Sequence, residues 1–419
     1  MSTWPSAQQA TIRHSPGVVS QFCLSSAIPI DGPTPAVLSS PQGQKRRDLN
    51  IVKTTTNSDG SVIDWIPLDS QVPDGKIASP PPLPAEIFST SNQTSERPWA
   101  MLQAEGAETG PEGTVPVLRQ SVSLSNVKTA HQLQMTKAPP VDPWHVPEVE
   151  TAAVGDHWYA SSAQRVNNHG GSASFSLYKA WTESNSDFSL LQSAVIRYDV
   201  PKPGDNNQRV SQTVEAGWIN YPQQIAAPHL FTFFTTDGYS TIADNKGGWN
   251  RDVRGWVQVD SQIFPGTSFA PLSTPGGAQY DIQIRWLLDG GNWWLFVLDR
   301  WIGYYPASLF GADTDPNRSL QTESGQINFY GEIYDSHPQH TRTDMGSGNW
   351  PDAGWTQSAY IRNIVYTDTG RSDQKYDGGG GIIVSDNNRY RMRADFQSQG
   401  SWGSHMYLGG PGAGGVVNG

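Results

Sequence analysis

Apolar and polar residues alternate with a period of two through much of the second half of this chain, in short runs that Gly, Pro, Asn and Asp interrupt. That period sends successive side chains to opposite faces of an extended strand. Runs of this kind occur at 175–181, 193–200, 212–220, 230–235, 255–264, 280–288, 292–302, 326–334 and 358–366. No segment carries an apolar stripe at helical spacing over three turns. Repeated short strands separated by turn residues predict an all-β domain, a two-sheet sandwich or jelly roll. The run at 292–302 is apolar or aromatic on nearly both faces, which predicts a central strand covered on each side.

The pattern differs before residue 156. Residues 1–48 are rich in Ser, Pro, Gln and Thr and end in Lys45-Arg46-Arg47, which predicts a flexible tail. From Leu49 to about residue 128 the chain has short strand-like pieces at 51–54 and 62–66, a turn at Asp59-Gly60 and a stiff proline stretch at 80–84. This piece is too small and polar to be the main core and reads as an accessory unit. A linker follows at 129–150, centred on Ala138-Pro139-Pro140-Val141-Asp142-Pro143, where fixed φ and missing N–H groups favour an extended chain open to proteolysis. Residues 151–419 form the main β domain.

Alternation also assigns faces. In 326–334, Ile327, Phe329 and Ile333 share one face while Asn328, Tyr330, Glu332 and Tyr334 share the other. In 212–220, Val214, Ala216 and Trp218 lie on one side and Thr213, Glu215 and Gly217 on the other, so Glu215 has small neighbours that leave room for a ligand backbone. If the faces bearing Glu215 and Glu332 meet, two carboxylates that cannot both ionise freely share a proton, as an acid/base pair in a hydrolase does. The residues alone leave the choice open, because Asp237, Asp260, Asp281 and Asp335 could serve in the same way, and a solvated outward Glu is the ordinary case.

Composition narrows the function classes. With 42 Gly, 31 Pro and 16 Trp in 419 residues, the chain suits short strands, many turns and an aromatic-lined groove. A net charge of -11 argues against a nucleic-acid surface, which needs clustered Lys and Arg. Cys23 is the single cysteine, so neither an intrachain disulfide nor a cysteine zinc site can form. No apolar run is long enough to span a membrane, and residues 1–30 show no secretory signal. The sequons Asn92-Gln93-Thr94 and Asn317-Arg318-Ser319 match a pattern common by chance. His337 and His340 flank a proline and fit a turn or groove better than a metal site, and no Gly-x-Ser-x-Gly elbow is present. Among the tryptophans, Trp286, Trp293 and Trp294 read as core, whereas Trp218, Trp249 and Trp256, beside polar loops, read as groove candidates.

Several stretches together resemble the neprosin family of glutamic prolyl endopeptidases: His157-Trp158-Tyr159-Ala160, Val214-Glu215-Ala216-Gly217-Trp218, Thr235-Thr236-Asp237-Gly238-Tyr239, Gln279-Tyr280-Asp281-Ile282, Gly291-Asn292-Trp293-Trp294-Leu295, Gly303-Tyr304-Tyr305-Pro306-Ala307-Ser308-Leu309-Phe310, Gly331-Glu332-Ile333 and Met345-Gly346-Ser347-Gly348. The resemblance runs from about Leu49 to Gly412. It implies an antiparallel β-sandwich, catalysis by Glu215 and Glu332, cleavage after proline at acidic pH, no cofactor, and a zymogen in which 49–128 is an inhibitory activation domain. It also implies secretion, although no export signal is visible, and the cysteines of plant members are absent here. The substrate would be a proline-containing peptide or protein, with the proline ring against Trp218, Tyr330 or Tyr334. A glycoside hydrolase with paired carboxylates, and a carbohydrate-binding module that uses the aromatics alone, are the rival readings.

Overall fold

The computed structural model describes residues 49–57, 59–84, 95–119, 156–202, 204–336, 340–379 and 381–419. The expected tail at 1–48 and linker at 129–150, with Cys23 and His337, lie outside the described residues. All described residues belong to one compact unit. The strands before residue 156 are β1 (Lys53–Thr56), β2 (Val62–Pro67), β3 (Trp99–Ala100) and β4 (Thr114–Leu118). The main domain continues with β5 (Asp156–Ser176), β6 (Phe188–Lys202), β7 (Asp205–Tyr221), β8 (Ile225–Thr235), β9 (Gly247–Trp249), β10 (Val257–Gln258), β11 (Phe269–Ala270), β12 (Asp281–Asp289), β13 (Asn292–Val297) and β14 (Arg300–Pro306). After a single helical turn, Ser308–Gly311, come β15 (Ser324–Asp335), β16 (Ala359–Asp368), β17 (Asp373–Lys375), β18 (Ile382–Val384), β19 (Arg391–Asp395) and β20 (His405–Gly409).

The architecture is all-β and antiparallel, as the alternation predicts. One layer runs β9-β8-β7-β6-β15-β5, the other β10-β14-β13-β12-β5, with β16 and β20 beyond β5. Strand β5 belongs to both. Its residues up to Asn168 pair with β15, and those from Asn168 onward pair with β12 and β16. At the passage between layers Gly170 takes φ 128°, and a Cβ there would meet the Trp286 carbonyl oxygen at 2.0 Å, so only glycine fits. The inner faces enclose one large core, in which Val195, Val214, Phe329 and Ile333 meet Ile284, Trp286 and Ile361.

Three expectations change, the first being that the run at 175–181 is strand only at Phe175 and Ser176, where β5 ends. The run at 292–302 is a hairpin, not one strand: β13 and β14 pair antiparallel across a turn in which Leu298 has φ 60°. Period-two hydrophobicity continues through that turn because Leu298 is itself buried. Of 255–264, only Val257–Gln258 is strand. Most of β5 gave no signal, since its Ser, Asn and Gly residues are small or polar on both faces.

The segment 49–119 forms a three-stranded sheet, β1-β2-β4, and docks on the second layer. β3 pairs with β11. Gln71 Nε2 donates to the Gln258 carbonyl at 2.7 Å, and Gln258 N donates to Gln71 Oε1 at 2.9 Å. Val72, Ile77 and Ala78 cover Trp294, Phe296 and Trp301 on the outer face of the β13–β14 hairpin. That contact explains why the hairpin is apolar on both faces: Trp293 and Leu295 point into the main core, and their neighbours point under the N-terminal segment.

Candidate active site

Pairing register brings Glu215 and Glu332 onto one face. In β15, Glu332 stands opposite Leu190 of β6 and Tyr159 of β5; in β7, Glu215 stands opposite Ala194 of β6. Between them on β6 lies Gln192, opposite both Tyr330 and Gly217. Its Nε2 donates to Glu215 Oε2 at 3.0 Å and approaches Glu332 Oε2 at 3.5 Å, so a single amide nitrogen spans the two carboxylates. Glu215, Glu332 and Gln192 are each 0% exposed. Two buried carboxylates are tolerable only where donors or a shared proton replace water.

Donors surround them. Glu215 Oε1 accepts from Thr213 Oγ1 at 2.8 Å and from Tyr239 OH at 2.5 Å, and Oε2 also accepts from Tyr330 OH at 3.2 Å. Glu332 Oε1 lies 2.8 Å from His157 Nδ1. The phenols of Tyr159, Tyr239 and Tyr330 are held well above their ordinary range, first by burial and then by negative charge, from both glutamates at Tyr159 and Tyr330 and from Glu215 at Tyr239. They therefore stay protonated and can donate across the acid and neutral range.

The site face divides into two flanks. Phe188, Leu190, Ile219, Tyr221, Phe231, Phe233, Tyr239, Trp249 and Tyr334 form an aromatic-rich cluster on one side, and Tyr159, Ala194, Ile196 and Tyr330 a smaller one on the other. Tyr334 stacks on Phe188 with centroids 5.5 Å apart and lies 5.0 Å from the His157 ring.

The expected aromatic contacts separate accordingly. Tyr330 touches Glu215 and Tyr334 lies in the aromatic flank, on the same face as the carboxylates. Trp218 does not: it is one residue out of phase with Gly217, packs in the main core and donates Nε1 to the Ser176 carbonyl at 2.8 Å. A substrate contact at Trp218 is therefore corrected by strand parity. Trp256 is likewise in the core, whereas Trp249 belongs to the aromatic flank. Gly217 leaves no room for a ligand, because a Cβ there would meet the Leu191 carbonyl oxygen of β6 at 2.0 Å.

The other carboxylates have local duties. Asp237 accepts from Ser240 N, and Asp260 caps the turn at Gln262 and Ile263. Asp281 pairs with Arg362 at 2.9 Å, and Asp335 accepts from Thr341 N. His340 packs edge-on against Trp158. Among the described residues no three His, Cys, Asp or Glu side chains gather in a metal-holding group. Sequence reasoning missed Gln192, which carries no motif, and it passed over the chemistry of His157, Tyr159 and Tyr239, although all three lie in the stretches that carry the resemblance.

Solved structures similar to this chain include two peptidases. Scytalido-glutamic peptidase bound to a transition state analog inhibitor is 9% identical with a TM-score of 0.32, over 62% of this chain and 100% of that one. SCP-B, a member of the Eqolisin family of peptidases in a complex with the tripeptide Ala-Ile-His, is 7% identical with a TM-score of 0.28, over 61% and 99%. The Neprosin family model matches residues 185–411, more than half of the chain and a span that contains both glutamates. By that match, this chain belongs to the neprosin family.

Proposed function

We propose that this protein is an acid-active endopeptidase that cuts on the C-terminal side of proline, using Glu215 and Glu332 as an acid/base pair with water as the nucleophile and no cofactor. The observation that carries the reading is the single amide of Gln192 reaching both buried carboxylates. One glutamate, ionised, takes a proton from water as it attacks the scissile carbonyl. The other, protonated, donates to the developing oxyanion and then helps protonate the leaving nitrogen. Phenols at Tyr239 and Tyr330 steady Glu215 while the charge moves. Tyr330 and Tyr334, with Phe188 and Trp249 behind them, are the surface against which the proline ring would rest.

We further propose synthesis as a zymogen, in which the N-terminal unit at 49–128 acts as inhibitor and loosens in acid, exposing the linker at 129–150 to cleavage around Pro139-Pro140. In support, β5 begins at Asp156, one residue before the His157 that contacts Glu332. Acid incubation of the full chain is expected to yield a smaller product starting within the linker. An unchanged mass together with full activity would reject the zymogen.

The main test is an acidic digest of a mixed protein sample, scored for the residue before each cut. Proline should dominate, and Glu215→Gln and Glu332→Gln should each lose about 10²–10⁴-fold in turnover. Near wild-type turnover in either variant would end the assignment. A glycan panel run alongside separates the rivals, since sugar release marks a glycosidase and binding without turnover marks a carbohydrate module.

A further inference from the structure

The seam between the N-terminal segment and the main domain is packed like a domain core. Trp294, Phe296, Trp301 and Tyr304, on the outer face of the β13–β14 hairpin, are all buried, with Val72, Ile77 and Ala78 of the segment packed against them. Phe264 of the main domain is buried too, among Ile63, Trp65 and Leu102 of the segment. Backbone pairing crosses the seam as well. β3 pairs with β11, and Glu96 bridges to Tyr280, its N–H donating to the Gln279 carbonyl at 2.7 Å. Ser95 completes a buried ion pair of the main domain: Arg362 Nη2 donates to its Oγ at 2.8 Å, and that hydroxyl donates at 2.6 Å to Asp281 Oδ2, the oxygen that Arg362 Nε also contacts.

Resting on the zymogen reading above, we propose that cutting the linker does not release this segment: residues 49–119 stay docked as a second chain, and the mature protein is a two-chain complex. Loosening in acid then exposes the linker without undocking the segment, because apolar burial and backbone pairing do not titrate. Release would uncover a contiguous aromatic face of a kind that monomers rarely leave open. It would also free the edge of β11 and take Ser95 from the Asp281–Arg362 pair. With Cys23 as its single cysteine, the chain has no intrachain disulfide to brace the main domain in the segment's place. A docked segment and an open site are compatible. The segment's aromatic seat is on β13 and β14 of the second layer, whereas Glu215 and Glu332 stand on β7 and β15 of the first.

The test inserts the recognition sequence of a site-specific protease between Pro139 and Pro140 of the full chain and cuts it with that protease, so the cut does not depend on the protein's own activity. Both fragments should then elute together from a size-exclusion column, in equal amounts at about 1 μM, at neutral pH and in acid. Elution of the main domain alone at either pH would overturn the proposal. A second variant locates the contact. Ile77→Asp sets a carboxylate against Trp294 and its neighbours, so after the same cut at neutral pH it should weaken the complex about 10-fold or more. Before the cut, the covalent connection keeps the segment at high effective concentration and the Ile77→Asp chain should stay folded. A cut Ile77→Asp complex as tight as the unsubstituted one would also overturn the proposal. A protein that cleaves no peptide in acid would end the peptidase reading instead, and elution of the cut chain would still decide whether the segment is retained.

Discussion

Tyr239 makes a short bond to Glu215, 2.5 Å from its hydroxyl to Oε1, and it comes from the turn after β8 rather than from a neighbouring strand. Its ring is itself fixed by stacking on Phe233 at 5.6 Å with planes 10° apart. A buried hydrogen bond to a charged group is worth about 1.5–3 kcal/mol, so Tyr239→Phe should lower kcat about 10- to 100-fold if Glu215 must be held throughout the reaction. Steady-state kinetics on a proline-containing peptide would measure this. A kcat unchanged by the loss of the hydroxyl would mean that Thr213, Gln192 and Tyr330 suffice. At this scale the sequence was informative about Glu215 and Glu332, because alternation marks which face each takes. It was silent about Gln192, since a glutamine in a strand looks the same whether it faces water or two carboxylates.

Strand pairing, more than any side chain, sets the geometry of the site. β6 lies between β15 and β7, so its register fixes the offset between Glu332 and Glu215. Gly217 makes close approach possible, because a Cβ there would also press on Gln192 Cα at 2.7 Å. Gly331 has the matching role on the core side, where a Cβ would meet Leu408 Cδ1 at 2.7 Å and Met345 Sδ at 2.8 Å. Overpacking of this kind costs about 1–3 kcal/mol. Gly217→Ala should therefore lower the denaturant midpoint and, by moving Gln192, reduce kcat. A variant of wild-type stability and turnover would show that β6 and β7 can part without disturbing the pair. The break between β12 and β13 was readable as the end of one run at 288 and the start of the next at 292, and Gly290 and Gly291 there take positive φ, 55° and 76°. The β13–β14 hairpin was not, because its turn is made by the buried Leu298, which looks like strand.

For the whole molecule, a buried histidine stands at the seam between the N-terminal segment and the main domain. His229 of β8 is fully buried, and burial lowers its pKa from 6.5 to about 4. It bridges to Ser268, whose hydroxyl donates to Asp59 at 3.0 Å and whose carbonyl accepts from Met101 N. The native state keeps His229 neutral while the unfolded chain takes up a proton. Its contribution to stability is therefore complete above the unfolded value and is lost as pH falls toward the folded one, by about 3 kcal/mol in all. Urea midpoints at neutral pH and near pH 4 should drop more for wild type than for His229→Gln, and equal drops would remove His229 as a source of acid loosening. Asp344 has the opposite sign: burial raises it to about 7, so its stabilisation is full in acid and is lost as pH rises through that value. The sequence by itself determined the all-β class and the face on which each glutamate projects, because periodicity is a local property of the chain. Only the tertiary structure decided that Glu215 and Glu332 meet across β6 and that a histidine stands beside Glu332. Those facts depend on strand order and register, which pair residues far apart in the chain and leave no trace in the spacing of either partner.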